Sequence, residues 1–178
     1  MQPRARAEDG FGMIELVIAV FILSIALLAL MAGYDSAFVS LHSASHKSAA
    51  STLADAQLEL YNALTYTAVG LDQATLTTTK ASDTVYVADE NGLDNHATAT
   101  DATISGCGTT SATPQCLPVQ TVTGNDRHVY KVETFVRNVT GIIAGRAERI
   151  VTVIVRDPGA TGAPVLVQMS AGFDAGPS

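Results

Sequence analysis

The sequence predicts an α+β fold: a long N-terminal helix, membrane-spanning in its first half, packed on a small antiparallel β-sheet. Three observations carry that expectation. From Leu16 to Tyr34 no residue is charged, and Leu, Ile, Val, Phe, Ala and Met supply nearly all of the run. No Pro interrupts that run or the chain after it until well past Tyr61. Beyond His128 the pattern changes to strands with alternating apolar residues, separated by Gly- and Pro-containing turns.

An uncharged run of this length, rising about 1.5 Å per residue, crosses the roughly 30 Å hydrocarbon core of a bilayer. A continuous helix from Phe11 to about Thr65 would be roughly 80 Å long, and only its first third is needed for the membrane. Beyond the span, Leu53, Ala56, Leu60 and Leu64 recur at helical spacing and mark an apolar face, while Asp55, Gln57, Glu59 and Asn62 point elsewhere. Gly33 is either a flexible point in this helix or a harmless small residue at an interface.

The totals bound the rest. Of 178 residues, 47% are hydrophobic and 15% charged, and the apolar run inflates the first figure. One modest domain beside a membrane segment is the sensible count. The formal net charge is -7, and residues 1–10 hold Arg4, Arg6, Glu8 and Asp9, so a product starting at Phe11 keeps that balance. An acidic chain without a Lys or Arg cluster lacks the footprint that phosphate backbones require, which argues against nucleic acid as a direct partner.

A secretory signal would show a basic segment, a short apolar core and then a small-residue cleavage site. Here the order differs: the polar MQPRARAEDG comes first, and Gly10, where a cut could fall, precedes the apolar run. Cleavage there leaves the helix attached to the mature protein. Gly10 followed by Phe11, with Glu15 and then an apolar helix, resembles the class III signal of type IV pilins and of the pseudopilins of type II secretion systems. The resemblance implies a membrane prepilin peptidase that cuts after Gly10 and methylates the new terminus at Phe11, with Glu15 as the family's acidic residue. It also implies a pilin-like α/β roll and a filament whose core is built from the N-terminal helices. The implied partners are the peptidase, other pilin or pseudopilin subunits and an inner-membrane assembly platform. The implied location is the cytoplasmic membrane, single-pass with the C-terminal domain outside, and after assembly an extracellular or periplasmic filament.

Departures from the usual signal qualify this picture. Gly12 and Met13 stand where the family more often has Thr or Ser followed by Leu, and Glu8 and Asp9 replace the basic residues common before the Gly. Arg4 and Arg6 still bias the leader toward the cytoplasm. The acidic ending EDG is similar to leaders of high-GC Gram-positive bacteria, which favours a pilus over a type II secretion pseudopilus. The run IELVIAVFILSIALLAL is similar to the helices of minor pilins and pseudopilins, which implies a minor subunit.

Glu15 has a physical rationale of its own. A carboxylate inside a bilayer or a helical bundle costs several kcal/mol unless it is paired, so an ionisable residue at the start of a spanning helix is a functional hypothesis by default. If Phe11 is the first mature residue, its ammonium is the available cation, from the same subunit or a neighbour. The plainer reading places Glu15 at headgroup level, where a negative charge also suits a helix N-terminus.

The expected organisation is a leader at 1–10, a membrane or filament-core helix at 11–34, its continuation into the folded domain at 35–68, a loop-rich region at 69–127 and an antiparallel meander at 128–178. After Gly70 the chain reads as Thr-rich and turn-rich, with DTVYVA at 83–88 as its first convincing strand. Short strands are expected near Thr98 to Ile104 and Leu117 to Thr123. Three clearer ones follow, from His128 to Val139, Glu148 to Arg156 and Pro164 to Ser170. In the first, Tyr130, Val132 and Val136 alternate with Lys131, Glu133 and Arg137, the pattern of a sheet with one buried face.

Cys107 and Cys116, in the loop CGTTSATPQC, read as a disulfide outside the cytoplasm. Half of a zinc site is the rival, but no second ligand pair lies nearby in sequence. His42 and His46, four apart on the predicted helix, could share a metal, yet without an acidic third ligand a solvated helix face is the better reading; His96 and His128 are isolated. Asp89, Glu90, Asn91 and Asp94 could offer oxygens to calcium, although their spacing fits no EF-hand loop. No nucleophile elbow, P-loop or dinucleotide fingerprint is present, so neither catalytic residues nor a cofactor is assigned. The alternative function is a tip module for adhesion or DNA uptake, anchored by the same helix.

Overall fold

The computed structural model describes residues 12–93, 99–107, 113–140 and 147–175. The chain divides into two compact units, Met1–Ala44 and Ser45–Ser178. Helix α1, Met13–Asn62, supplies the described part of the first unit and continues into the second.

In the first unit every described residue is exposed. Apolar side chains cover the helix all round, from Met13 and Phe21 to Phe38 and Leu41. Ser24 and Ser40 donate their hydroxyls back to the Val20 and Ser36 carbonyls at 2.8 and 2.9 Å, so these polar groups are satisfied inside the helix. Among the described residues, α1 is the one helix long and apolar enough to cross a membrane.

The second unit is a mixed α+β fold of pilin-like type, in which the last turns of α1 pack on an antiparallel sheet. A single 3-10 turn, Tyr66–Ala68, follows α1. Strand β1 (Leu71–Asp72), helices α2 (Gln73–Ser82) and α3 (Thr84–Asn91) and strands β2 (Ala99–Asp101) and β3 (Thr103–Ile104) lead to a 3-10 turn at Pro114–Cys116. Strands β4 (Val119–Thr123), β5 (Val129–Thr140), β6 (Ala147–Arg156) and β7 (Val165–Asp174) complete the chain. β5 pairs with β6 and β6 with β7, all antiparallel, while β2 and β4 share the other edge of β5. β1 and β3 form a separate parallel pair.

Three expectations are corrected. The segment DTVYVA is not a strand but the start of α3, because Asp83 caps it: its Oδ1 accepts from the Val85 and Tyr86 amides at 3.1 and 3.0 Å. Likewise Asp72 accepts from the Thr75 amide at 2.9 Å and starts α2 in the segment read as turns. Two local caps outweigh the strand propensity of Thr and Val.

The second correction concerns the buried stripe of α1. It runs through Ala50, Ala54, Gln57 and Tyr61, while Ala56 and Leu60 are exposed. Small residues at 50 and 54 let the helix approach the sheet closely, and Gln57 is buried because the chain at Pro114 and Thr134 satisfies its amide.

Thirdly, β5 has no solvent face over its middle: Val132 to Arg137 are all buried. Gln57 of α1 reaches Thr134 on one side, whereas Tyr86 of α3 stacks on Phe135 on the other, ring centroids 4.4 Å apart. Register carries both layers across the sheet: Val132, Thr134 and Val136 face Val155, Val153 and Val151 on β6, while Glu133, Phe135 and Arg137 face Ile154, Thr152 and Ile150. Helices therefore cover both faces, and the alternating charges of β5 lie beneath α3.

Candidate functional site: the N-terminal helix and the contacts that anchor it

The first turn of α1 is set by the Gly12 carbonyl, which accepts from the Glu15 amide at 2.9 Å and the Leu16 amide at 3.2 Å. Glu15 is thus a first-turn carboxylate, where the positive end of the helix dipole favours it. Its side chain is exposed, and among the described residues no cation lies against it. Gly10 and Phe11, together with the leader at 1–10, lie outside the described residues. So do Asp94 and His96.

Within the folded unit two sets of side chains hold α1 to the sheet, and a third holds α2 and α3 to it. At one end of the packed helix, His46 Nδ1 lies 2.8 Å from the Tyr130 hydroxyl and 2.9 Å from Asp126 Oδ2. Tyr130 donates to that same carboxylate at 2.6 Å, and His128 meets Asp157 at 2.8 Å. The His46 and His128 rings touch edge to face, centroids 4.6 Å apart. The Tyr130 hydroxyl holds the Asp126 carboxyl below the usual carboxylate range, and His128 does the same for Asp157. His46, read in the sequence as part of a solvated helix face, and His128, read as isolated, are instead brought together here by the start of β5.

Further along α1, Gln57 Nε2 donates to the Pro114 carbonyl at 3.2 Å, and Gln120 donates to Gln57 Oε1 at 3.3 Å. The Tyr61 hydroxyl donates to the Gln115 carbonyl. These bonds fasten α1 to the turn that carries Cys116, which is buried and bonded to Cys107 with Cα atoms 5.7 Å apart. Gly106 reaches this bond through a left-handed backbone, φ 72°, a conformation that suits Gly.

The third set fills the layer beneath α3. Lys80 bridges Glu90 and Asp101 at 2.7 and 2.6 Å, Arg137 lies 3.5 Å from Glu90, and Lys131 bridges Asp83 and Glu133 at 2.6 and 2.7 Å. Arg156 is paired with Asp89 and lies 3.3 Å from Glu133. Asp89 and Glu90, weighed as calcium ligands, therefore belong to a helix and face guanidinium and ammonium groups. Among the described residues no group of three or more His, Cys, Asp or Glu is arranged to hold a metal.

Residues 5–31 match the prokaryotic N-terminal methylation motif, a match that spans Gly10, Phe11, Glu15 and most of the apolar run. The chain carries a prepilin signal. That signal belongs to type IV pilins and pseudopilins, the structural subunits that prepilin peptidase processes. The prepilin signal and the exposed apolar helix together fit a membrane-anchored pilin-like protein. No curated protein and no solved structure matches the chain.

Proposed function

We propose that the chain is a pilin-like structural subunit, cut after Gly10 and N-methylated at Phe11, that assembles through α1 into a type IV pilus or a related pseudopilus. Before assembly it spans the cytoplasmic membrane once, with the folded unit outside. The observation that carries this reading is the first part of α1: apolar on every side, fully exposed, and bearing a single carboxylate at Glu15 before Asp35. Such a surface needs lipid or other helices around it, and such a carboxylate needs a cation.

The terminal ammonium at Phe11 of a neighbouring subunit supplies that cation. Pairing it with Glu15 fixes the axial register of one helix against the next, because a displaced helix leaves both charges unpaired in an apolar surrounding. The similarity of IELVIAVFILSIALLAL to minor-pilin helices supports a minor rather than a major subunit. The working surface is then the helix, and the chain is acted upon by an enzyme rather than acting as one.

A Glu15→Ala variant tests the pairing. Membrane insertion should be unchanged, since removing a charge makes the span more apolar, while recovery in sheared filaments should fall at least to a small fraction of wild type. Normal incorporation of Glu15→Ala would contradict the proposed pair.

A further inference from the structure

Strand β7 pairs with β6 along one side, and among the described residues nothing pairs with its other side. One bond settles which groups face outward. The Ala175 amide donates to the Ala147 carbonyl at 3.3 Å, which marks those two residues as a hydrogen-bonded pair. Alternation along the antiparallel ladder then turns Val167, Met169, Ala171 and Phe173 toward β6 and leaves the N–H and C=O groups of Gln168, Ser170 and Gly172 facing away. Long open edges are normally blunted by Lys, Pro or a bulge. From Val165 to Phe173 there is no charge and no Pro, and the one irregularity lies at the far end, by Val155 and Arg156.

The opposite edge of the sheet is complementary. The Thr134 amide donates to the Pro118 carbonyl and the Gly124 amide to the His128 carbonyl, each at 2.8 Å. By the same alternation Val119, Thr121 and Thr123 of β4 turn their backbone groups outward. These residues too are uncharged, so the acidic net charge does not oppose a contact between them and β7.

Direction selects between the possible pairings. β4 is antiparallel to β5, β5 to β6 and β6 to β7, so β4 of a copy displaced sideways runs antiparallel to β7. Within the folded unit α1 lies along β5, with His46 against Tyr130 and Gln57 against Thr134. A sideways displacement keeps α1 pointing the same way in both copies. Two β7 edges paired antiparallel about a two-fold axis would instead point the packed segments of α1 in opposite directions, and two paired parallel would set those segments on opposite faces of the sheet. We propose that β7 of one copy takes up β4 of a second copy, with Gln168, Ser170 and Gly172 opposite Thr123, Thr121 and Val119, extending the sheet from subunit to subunit. The proposal rests on the membrane-anchored reading above and requires at least two adjacent copies.

The test uses the full-length chain in its membrane, as Ser170→Cys and Thr121→Cys variants, alone and co-expressed with distinguishable tags. Paired residues in such a ladder have Cα atoms within disulfide reach. Mild oxidation should join the two variants to each other when co-expressed and should join neither to itself. A Gln168→Pro change in the Ser170→Cys chain removes an outward N–H while sparing the bonds to β6, and should abolish the cross-link. No cross-link between the co-expressed variants overturns the proposal, as does Ser170→Cys joining to itself. The N-terminal residue of the same samples keeps the two readings apart: cross-linking with an intact Met1 terminus would refute processing and leave the edge contact standing.

Discussion

Glu133 Oε1 lies 2.7 Å from Lys131 Nζ, yet the Glu133 side chain has no exposure to solvent, and neither of its oxygens is aligned for a hydrogen bond. Lys131 is shared with Asp83, and Arg156, the other cation near Glu133, is shared with Asp89. Around these two cations stand three carboxylates, Asp83, Asp89 and Glu133. Burial, and then the neighbouring Asp89, push the Glu133 carboxyl up to about 7.

A carboxyl raised in the folded state above its unfolded value of about 4.3 contributes stability that is fully present below that value and lost as pH rises through 7. Glu133→Gln keeps the shape and removes the titration. The variant should hold a constant unfolding free energy between pH 5 and 8 where the wild type declines, a difference on the order of 1–3 kcal/mol at the upper end. Denaturant titrations of the full-length chain in detergent at several pH values measure it; a wild-type profile as flat as the variant's would refute the assignment.

Asp126 and Asp157 act in the opposite direction. Both carboxyls are held below the ordinary range, by the Tyr130 hydroxyl and by His128. Their contribution is complete above the unfolded value of about 3.9 and is lost as pH falls through the lower folded values. Tyr130→Phe removes the largest cause of the Asp126 shift, so its stability should fall less steeply than that of the wild type between pH 4 and 2.

The bond between Cys107 and Cys116 closes a loop of sequence separation 9, and Gln57 and Tyr61 of α1 hold its turn at Pro114 and Gln115. Closing so short a loop removes chain entropy worth roughly 2.5 kcal/mol. A double change of Cys107 and Cys116 to Ser should lower the unfolding free energy by about that amount, and added reductant should have no further effect on it. Equal stability with and without the bond would show that the Gln57 and Tyr61 contacts alone hold the turn at Pro114 and Gln115.

Phe135 is the clearest case of what sequence order hides. It is buried, stacked on Tyr86, whose hydroxyl donates to the Thr134 carbonyl at 2.9 Å. Phe135→Ala should cost about 3–5 kcal/mol by the usual cost of emptying a core aromatic site, whereas Leu60→Ala, on the exposed side of α1, should cost far less.

The helix, the meander of β5, β6 and β7 and the prepilin signal were legible because each rests on a local pattern: an uncharged run, alternation, or a few residues at fixed spacing. α3 was not, since Thr, Val and Tyr carry strand propensity and the deciding group is the Asp83 side chain just before them. Burial of Glu133 and Arg137 was not legible either. Alternation along β5 reports two faces, but only the return of α3 over the sheet says that both are covered. Gln57 was hidden for the same reason, as its partners lie at Pro114, Gln120 and Thr134. Of the N-terminal helix, sequence identified Glu15 and its surroundings, and the structure adds that no cation among the described residues answers it.

The central claim is that Gly10 precedes the cut and Phe11 becomes a methylated terminus. It is tested most directly by the N-terminal residue and intact mass of the chain recovered from its host, with and without the prepilin peptidase. A methylated Phe11 terminus that depends on the peptidase is the expected result. An unprocessed Met1 terminus in cells that contain the peptidase would contradict the account and reduce Glu15 to an interfacial charge on a simple membrane anchor.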